Sequence, residues 1–178
     1  MKCPASRFVV LTLVLYVGCA GVSLAQNKRV QWKDYAYPQD GFAITLPEAP
    51  RIQPDANMPE TMTYSVNINP DYAFTVRVRR DRRSCKATLG QLRERVLTGK
   101  ARGSNPSSLR DISLAGYSGL ECEWNVSDEK VALERYYCGE GRIFILAVNR
   151  ERSQALMPAA AKIMNSFRPL TTLKVDNE

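Results

Sequence analysis

Apolar residues in this chain recur mostly at every second position. Over Gly41 to Leu46, Phe42, Ile44 and Leu46 alternate with Ala43 and Thr45, the period of a strand buried on one face. Thr61 to Ile68 and Tyr72 to Arg79 read as two more strands. Asn69-Pro70-Asp71 between them is turn chemistry, so they are expected to pair as a hairpin. Leu109 to Leu114 is a weaker strand, reached after Asn105-Pro106 and left at Gly116. Tyr117 to Val126 is a clear one, with Leu120, Cys122, Trp124 and Val126 on one face and Glu121, Glu123 and Asn125 on the other. After a turn at Ser127 to Lys130, Val131 to Cys138 and Arg142 to Asn149 follow, joined at Gly139-Glu140-Gly141. Ile143 to Val148 is apolar on both faces, which predicts a central strand.

Two segments follow the helical period instead. Thr88 is placed as an N-cap with Gln91 completing a capping box, Leu89, Leu92 and Val96 as the buried face, and Gly99 as the C-cap. Gln154 to Phe167 puts Leu156, Ala160, Ile163 and Phe167 on one face. Pro158 suits a first helical position, so the regular helix is expected to begin there, and Pro169 ends it. Residues 47–60 carry four prolines, read as a long loop that cannot join a central ladder. Three strands, a helix, four strands and a helix define an α+β fold: a central antiparallel sheet of about six to seven strands with two main helices packed on it.

The N-terminus adds a compartment. Lys2 and Arg7 precede an apolar run, Phe8 to Val17, of about ten residues, the length of a signal core and half that of a membrane span. Ser23-Leu24-Ala25 fits cleavage after Ala25, leaving about 153 residues, enough for one domain. Within them, 26–38 reads as a lead-in, 39–169 as a single domain and 170–178 as a polar tail. Two alternatives stay open: an uncleaved anchor, and a lipoprotein carried on Cys19, where Tyr16 stands in place of the usual Leu.

Two stretches resemble a known superfamily. Residues 35–50, Y-A-Y-P-Q-D-G-F-A-I-T-L-P-E-A-P, resemble the first strand of PsbP-like proteins. Residues 159–169, A-A-A-K-I-M-N-S-F-R-P, resemble their last helix, with a small and aliphatic face ending in Ser-Phe. The element order between them is similar too. The resemblance implies an α/β sandwich around an antiparallel sheet, as in the photosystem II extrinsic protein, a Ran-binding nuclear import factor and DcrB-type bacterial envelope proteins. It also implies binding or assembly work without catalysis, and supplies no catalytic residue set.

Charge and chemistry narrow the function. The chain has 25 Lys and Arg against 18 Asp and Glu, a net +7, and loses Lys2 and Arg7 with the signal to reach about +5. Residues 77–86 hold the equivalent of that excess: Arg77, Arg79, Arg80, Arg82, Arg83 and Lys86 against Asp81. Arg77 and Arg79 share a strand face with Val76 and Val78 opposite, and the others continue past the strand end. The cluster reads either as a patch for phosphate or carboxylate groups or as charge guarding a strand edge. Nucleic acid is excluded as a partner by export and by the lack of interleaved aromatics. The chain contains no histidine, which removes histidine-dependent nucleophiles, imidazole metal sites and histidine-ligated haem; no metal or other cofactor is expected.

Three cysteines remain after the signal: Cys85, Cys122 and Cys138. A Cys122–Cys138 disulfide is the favoured pairing, with Cys85 bonded to one of them as the alternative. A four-residue turn, Ser127 to Lys130, would set Cys122 opposite Arg135 and turn Cys138 to the other face; a one-residue slip would bring both onto one face. Glu121 and Glu123 suggest either an acid/base pair or partners of cross-strand Arg or Lys. Asn125-Val126-Ser127 is a glycosylation sequon, relevant only in a glycosylating host. The expected function is that of an exported, non-catalytic binding or scaffold domain of the cell envelope. Its partner would be a protein or an anionic envelope component, met through the arginine cluster or the Pro-rich 47–60 segment, with no membrane span after signal cleavage. The rival is a small envelope hydrolase with a Ser-Lys or Cys-Lys nucleophile, Cys85 beside Lys86 being the candidate.

Overall fold

The computed structural model describes residues 30–69, 72–81, 83–98 and 106–170. The expected signal, Cys19, Arg82, Gly99, Asn105 and nearly all of the polar tail lie outside them. Among the described residues the chain forms β1 (Lys33–Tyr37), β2 (Phe42–Leu46), β3 (Arg51–Pro54), β4 (Thr61–Asn69), β5 (Tyr72–Arg80) and α1 (Cys85–Leu97). Then follow β6 (Pro106–Leu114), β7 (Tyr117–Asn125), β8 (Lys130–Gly139), β9 (Arg142–Glu151), α2 (Pro158–Ser166) and β10 (Arg168–Pro169). Seven strands form one sheet in the order β3-β4-β5-β9-β8-β7-β6, and β1-β2-β10 form a second. Neighbours pair antiparallel throughout, as an α+β chain of consecutive strands predicts.

The alternation of β4, β5, β8 and β9 sorts side chains onto two faces. Tyr64, Val66, Phe74, Val76, Val78, Phe144, Leu146 and Val148 point to one, where Phe42, Ile44 and Leu46 of β2 and Ala160, Ile163, Met164 and Phe167 of the α2 region close the main core. Phe42 and Phe167 stack at its centre, with centroids 5.8 Å apart, and Phe167 also stacks on Tyr137 at 5.7 Å. The two stretches that carry the family resemblance therefore meet: Arg168 and Pro169 pair with Ala43 and Phe42, and Ser166 Oγ accepts from the Thr45 backbone N–H at 2.9 Å. As its proline predicts, α2 begins with Pro158 in its first turn.

Several boundaries differ from the sequence expectation. α1 begins one turn earlier: Ser84 is the N-cap and its side chain accepts from the Ala87 N–H at 3.2 Å. Thr88 is instead buried inside the first turns and donates to Asp81 at 3.2 Å. The segment expected as a lead-in contributes β1, and the Pro-rich 47–60 stretch contributes β3. β3 is an edge strand with all four residues exposed, so only its backbone pairing defines it and no apolar period announces it. Pro106 opens β6 on the opposite edge, beside a register shift, a position at which sheets accept proline.

The cysteine pairing is corrected. Cys85 bonds Cys138, with Cα atoms 5.4 Å apart, and Cys122 is a buried thiol outside that bond. The cause is register. Val126 leaves the β7–β8 ladder, and its N–H bonds Lys130 O at 2.8 Å. Cys122 consequently faces Glu134, and Cys138 faces Ser118. Both cysteines do lie on one sheet face, but four residues of strand separate them, about 13 Å, beyond the reach of a disulfide. Cys85, in the first turn of α1, stands over Cys138 instead.

Candidate functional site

The second face of the large sheet is covered unevenly. α1 packs on β7 and β8, where Val96 meets Cys122, Trp124, Ala132 and Tyr136 in a small apolar cluster flanked by Leu89, Leu92 and Ile145. Next to it, β4 and β5 present Thr61, Thr63, Arg77 and Arg79, with Thr61 opposite Arg79 and Thr63 opposite Arg77. A cleft of about 300 Å³ runs between this polar half and the flank of α1.

Arg77, Arg79, Arg83 and Arg95 border the cleft. Two carboxylates answer them. Glu134 is 1% exposed; it accepts from Trp124 Nε1 at 3.0 Å and from the Tyr136 hydroxyl, and faces Arg77 Nη2 at 3.6 Å. Burial, reinforced by the Glu134 carboxylate, raises the Tyr136 phenol far above its usual range, so it remains a donor. Asp81 takes Arg83 as a fork, Nε at 3.0 Å and Nη2 at 2.8 Å, along with the Arg83 backbone N–H at 3.0 Å. The Arg83 guanidinium, with that N–H and Thr88, holds the Asp81 carboxyl far below the ordinary range. Arg79 lies farther off, 3.5 Å from Asp81, and touches Met58 Sδ at 3.9 Å. Met58 belongs to the Pro-rich segment, so the two surfaces singled out in the sequence meet at this cleft.

Of the six expected basic residues, Arg77, Arg79 and Arg83 converge here. Arg80 lies at a second hollow with Asp40, Glu60 and Arg142, Lys86 is exposed on the first turn of α1, and Arg82 is outside the described residues. β5 sits between β4 and β9; Arg77 and Arg79 therefore guard no open strand edge. Sequence reasoning missed Glu134, Tyr136 and Trp124, which also line the cleft. Strand alternation puts Glu134 and Tyr136 on the face of Cys138, but their proximity to β5 depends on the β5–β9 pairing, which joins segments separated by a helix and three strands.

The paired glutamates of β7 have cross-strand partners. Glu121, 7% exposed, is held by Arg110 of β6 and Arg135 of β8, each with Nε at 2.7 Å, and Glu123 pairs with Arg150. Cys85 is in a disulfide and has no thiol to offer as a nucleophile. Among the described residues no group of His, Cys, Asp and Glu is arranged to hold a metal, and no helix is long and apolar enough to cross a membrane.

One seven-stranded antiparallel sheet, with a helix on one face and a small sheet with a second helix on the other, is an α/β sandwich. Solved structures place it further. Cyanobacterial PsbP (CyanoP) from Synechocystis sp. PCC 6803 superposes with a TM-score of 0.59 at 13% identity, over 85% of this chain and 96% of that one. LpqN, involved in cell envelope biogenesis of Mycobacterium tuberculosis, matches at a TM-score of 0.43 and 17% identity, over 79% and 91%. PA94, a putative regulator of unknown function from Pseudomonas aeruginosa, gives 0.38 and 10%, over 69% and 85%. No protein-family model and no curated protein matches. The chain has a PsbP-like fold; at these identities the likeness is one of fold, and function has to be argued from the site.

Proposed function

We propose that this chain is an exported, non-catalytic binding domain of the cell envelope, and that it engages an anionic group of its partner at the arginine-lined cleft beside α1. The observation that carries the reading is the convergence of Arg77, Arg79, Arg83 and Arg95 on one concave surface, with two carboxylates against four guanidinium groups. The excess is positive, and arginine forks suit phosphate and carboxylate oxygens. Export is supported by the signal-like residues 1–25 and by the Cys85–Cys138 bond, since disulfides persist in oxidising compartments. Sequencing of the mature N-terminus tests the compartment: a start at Gln26 fits cleavage after Ala25, and a lipid-modified Cys19 would make the protein membrane-anchored.

Crosslinking in the native envelope tests the partner. Wild type is compared with Arg79→Glu/Arg95→Glu and, as a control on the other hollow, with Arg80→Glu. A component captured by wild type and Arg80→Glu but lost from the double variant is the expected result. Identical capture by all three baits would overturn the assignment of the contact to this cleft.

A further inference from the structure

We infer that the cleft is a site for one small amphipathic oxyanion: a phosphate- or carboxylate-type head held by Arg77 and Arg79, with a short apolar group lying along Ile143, Ile145 and α1. The inference deepens the reading above and rests on it for the location of the site.

The head end is marked by unmet hydrogen-bonding capacity. Among the described residues, Arg77 Nε, Thr61 Oγ1 and Thr63 Oγ1 are buried with no hydrogen-bond partner. All three belong to the two cross-strand pairs Thr61–Arg79 and Thr63–Arg77. Native structures leave few such atoms unpaired, and a cluster of them calls for an explanation. Arg77 and Arg79 are also only loosely engaged. Their nearest carboxylate oxygens stand at 3.6 and 3.5 Å, whereas Arg83 meets Asp81 at 2.8 Å. Contacts beyond about 3.2 Å leave much of a guanidinium fork's donor capacity unused. A head with several acceptor oxygens supplies what the Arg77 and Arg79 forks that border the cleft lack, and the buried Thr61 and Thr63 hydroxyls behind them leave that row of the sheet polar.

The other end of the cleft is different. Leu89 and Leu92 of α1 and Ile143 and Ile145 of β9 wall it, which an inorganic ion would leave uncovered. The volume, about 300 Å³, lies at the small end of ligand sites and suits one anionic head with a short apolar group. Arg79 and Arg95 add positive charge beyond what Glu134 and Asp81 answer, matching a head that carries one to two negative charges.

Isothermal titration of the exported chain with hexyl phosphate, inorganic phosphate and hexanol tests this. Hexyl phosphate is expected to bind about 10-fold more tightly than inorganic phosphate, the gain from burying two or so methylenes, and hexanol to show no binding. Arg79→Gln should weaken hexyl phosphate at least about 10-fold, as loss of a charged contact does. Leu92→Gln should lower hexyl phosphate to the level of inorganic phosphate, with near-UV circular dichroism confirming that both variants are folded. Equal affinity for the two phosphates, or none for either, overturns the inference. So does binding to phosphatidylglycerol vesicles without binding of hexyl phosphate, which would put the anion in a membrane surface. Loss of capture on Arg79→Glu/Arg95→Glu in the crosslinking experiment does not depend on these titrations, so the two readings fail separately.

Discussion

The Cys85–Cys138 bond should decide whether α1, one wall of the cleft, stays in place. α1 has 13 residues, a length at which isolated helices are marginal in water. Its hold on the sheet is slight. Val96 is its one fully buried large apolar residue, with Leu89 and Leu92 partly buried, and burial of a valine contributes about 2 kcal/mol. Ser84 caps the start, and the Thr88–Asp81 and Arg93–Asp111 contacts add polar ties. The disulfide spans 53 positions. Loop-closure entropy for a loop of that size gives about 4 kcal/mol of stabilisation, more than any single contact of the helix.

The test is Cys85→Ser/Cys138→Ala, which removes both sulfurs and keeps the buried β8 position apolar. With a urea dependence of about 2 kcal/mol per molar, the unfolding midpoint should fall by about 2 M. Hydrogen exchange should rise first over 85–97, ahead of β8 and β9, because the helix loses its covalent tie while the central strands keep their ladders. A midpoint shift under about 0.5 M with exchange in α1 unchanged would refute the argument. Peptide mapping of the wild type adds a direct check: a Cys122–Cys138 linkage would contradict the β7–β8 register on which the cleft is built.

Three further outcomes follow from individual contacts. Asp81 has its proton affinity depressed on folding, chiefly by Arg83, so the unfolded chain binds the proton more readily. Its contribution is present above the unfolded value near 3.8 and is lost as pH falls below it. Asp81→Asn should cost about 2 kcal/mol at pH 7 and flatten the acid limb of a stability–pH profile; an unchanged limb would show that Asp81 does not contribute to it. Glu121→Leu leaves Arg110 and Arg135 without their shared carboxylate and should cost about 3 kcal/mol in urea unfolding; a neutral result would make the Arg–Glu–Arg ladder dispensable. A Cβ at Gly139 would stand 2.3 Å from the Tyr117 ring, so Gly139→Ala should destabilise by about 2 kcal/mol, and thermal melting at wild-type temperature would refute the close packing.

Much of the sandwich was legible because its signals are local. Alternation and turn residues identified β2, β4, β5, β7 and β8, an apolar run identified β9, and Pro158 marked the start of α2, since each property acts within a few residues. What remained hidden depends on pairing at a distance. β1 and β3 have little buried side chain to mark them. The β7–β8 register turned on Val126 leaving the ladder, a one-residue matter that reassigns both cysteines. The helix start moved because Thr88, a good capping residue by type, spends its hydroxyl on Asp81 while Ser84 takes the cap. Arg77 and Arg79 were correctly placed on one strand face, but Glu134, which faces Arg77 from the other side of the β5–β9 pairing, was not foreseen beside them.

The unequal cover of the sheet's two faces follows from that same pair of arginines. On the α2 side every central strand offers apolar side chains, so a full layer of β1, β2, β10 and α2 can lie on it. On the α1 side the rows Thr61–Arg79 and Thr63–Arg77 interrupt the apolar surface beside Ile143 and Ile145. A helix laid across them would bury two guanidinium groups with Glu134 and Asp81 alone to answer them, a cost that Val96 and its neighbours cannot offset. α1 is therefore confined to β7 and β8, and the disulfide fixes it there. The cleft is the strip of sheet that the helix cannot cover, and the residues that exclude the helix are the ones suited to receive an anion.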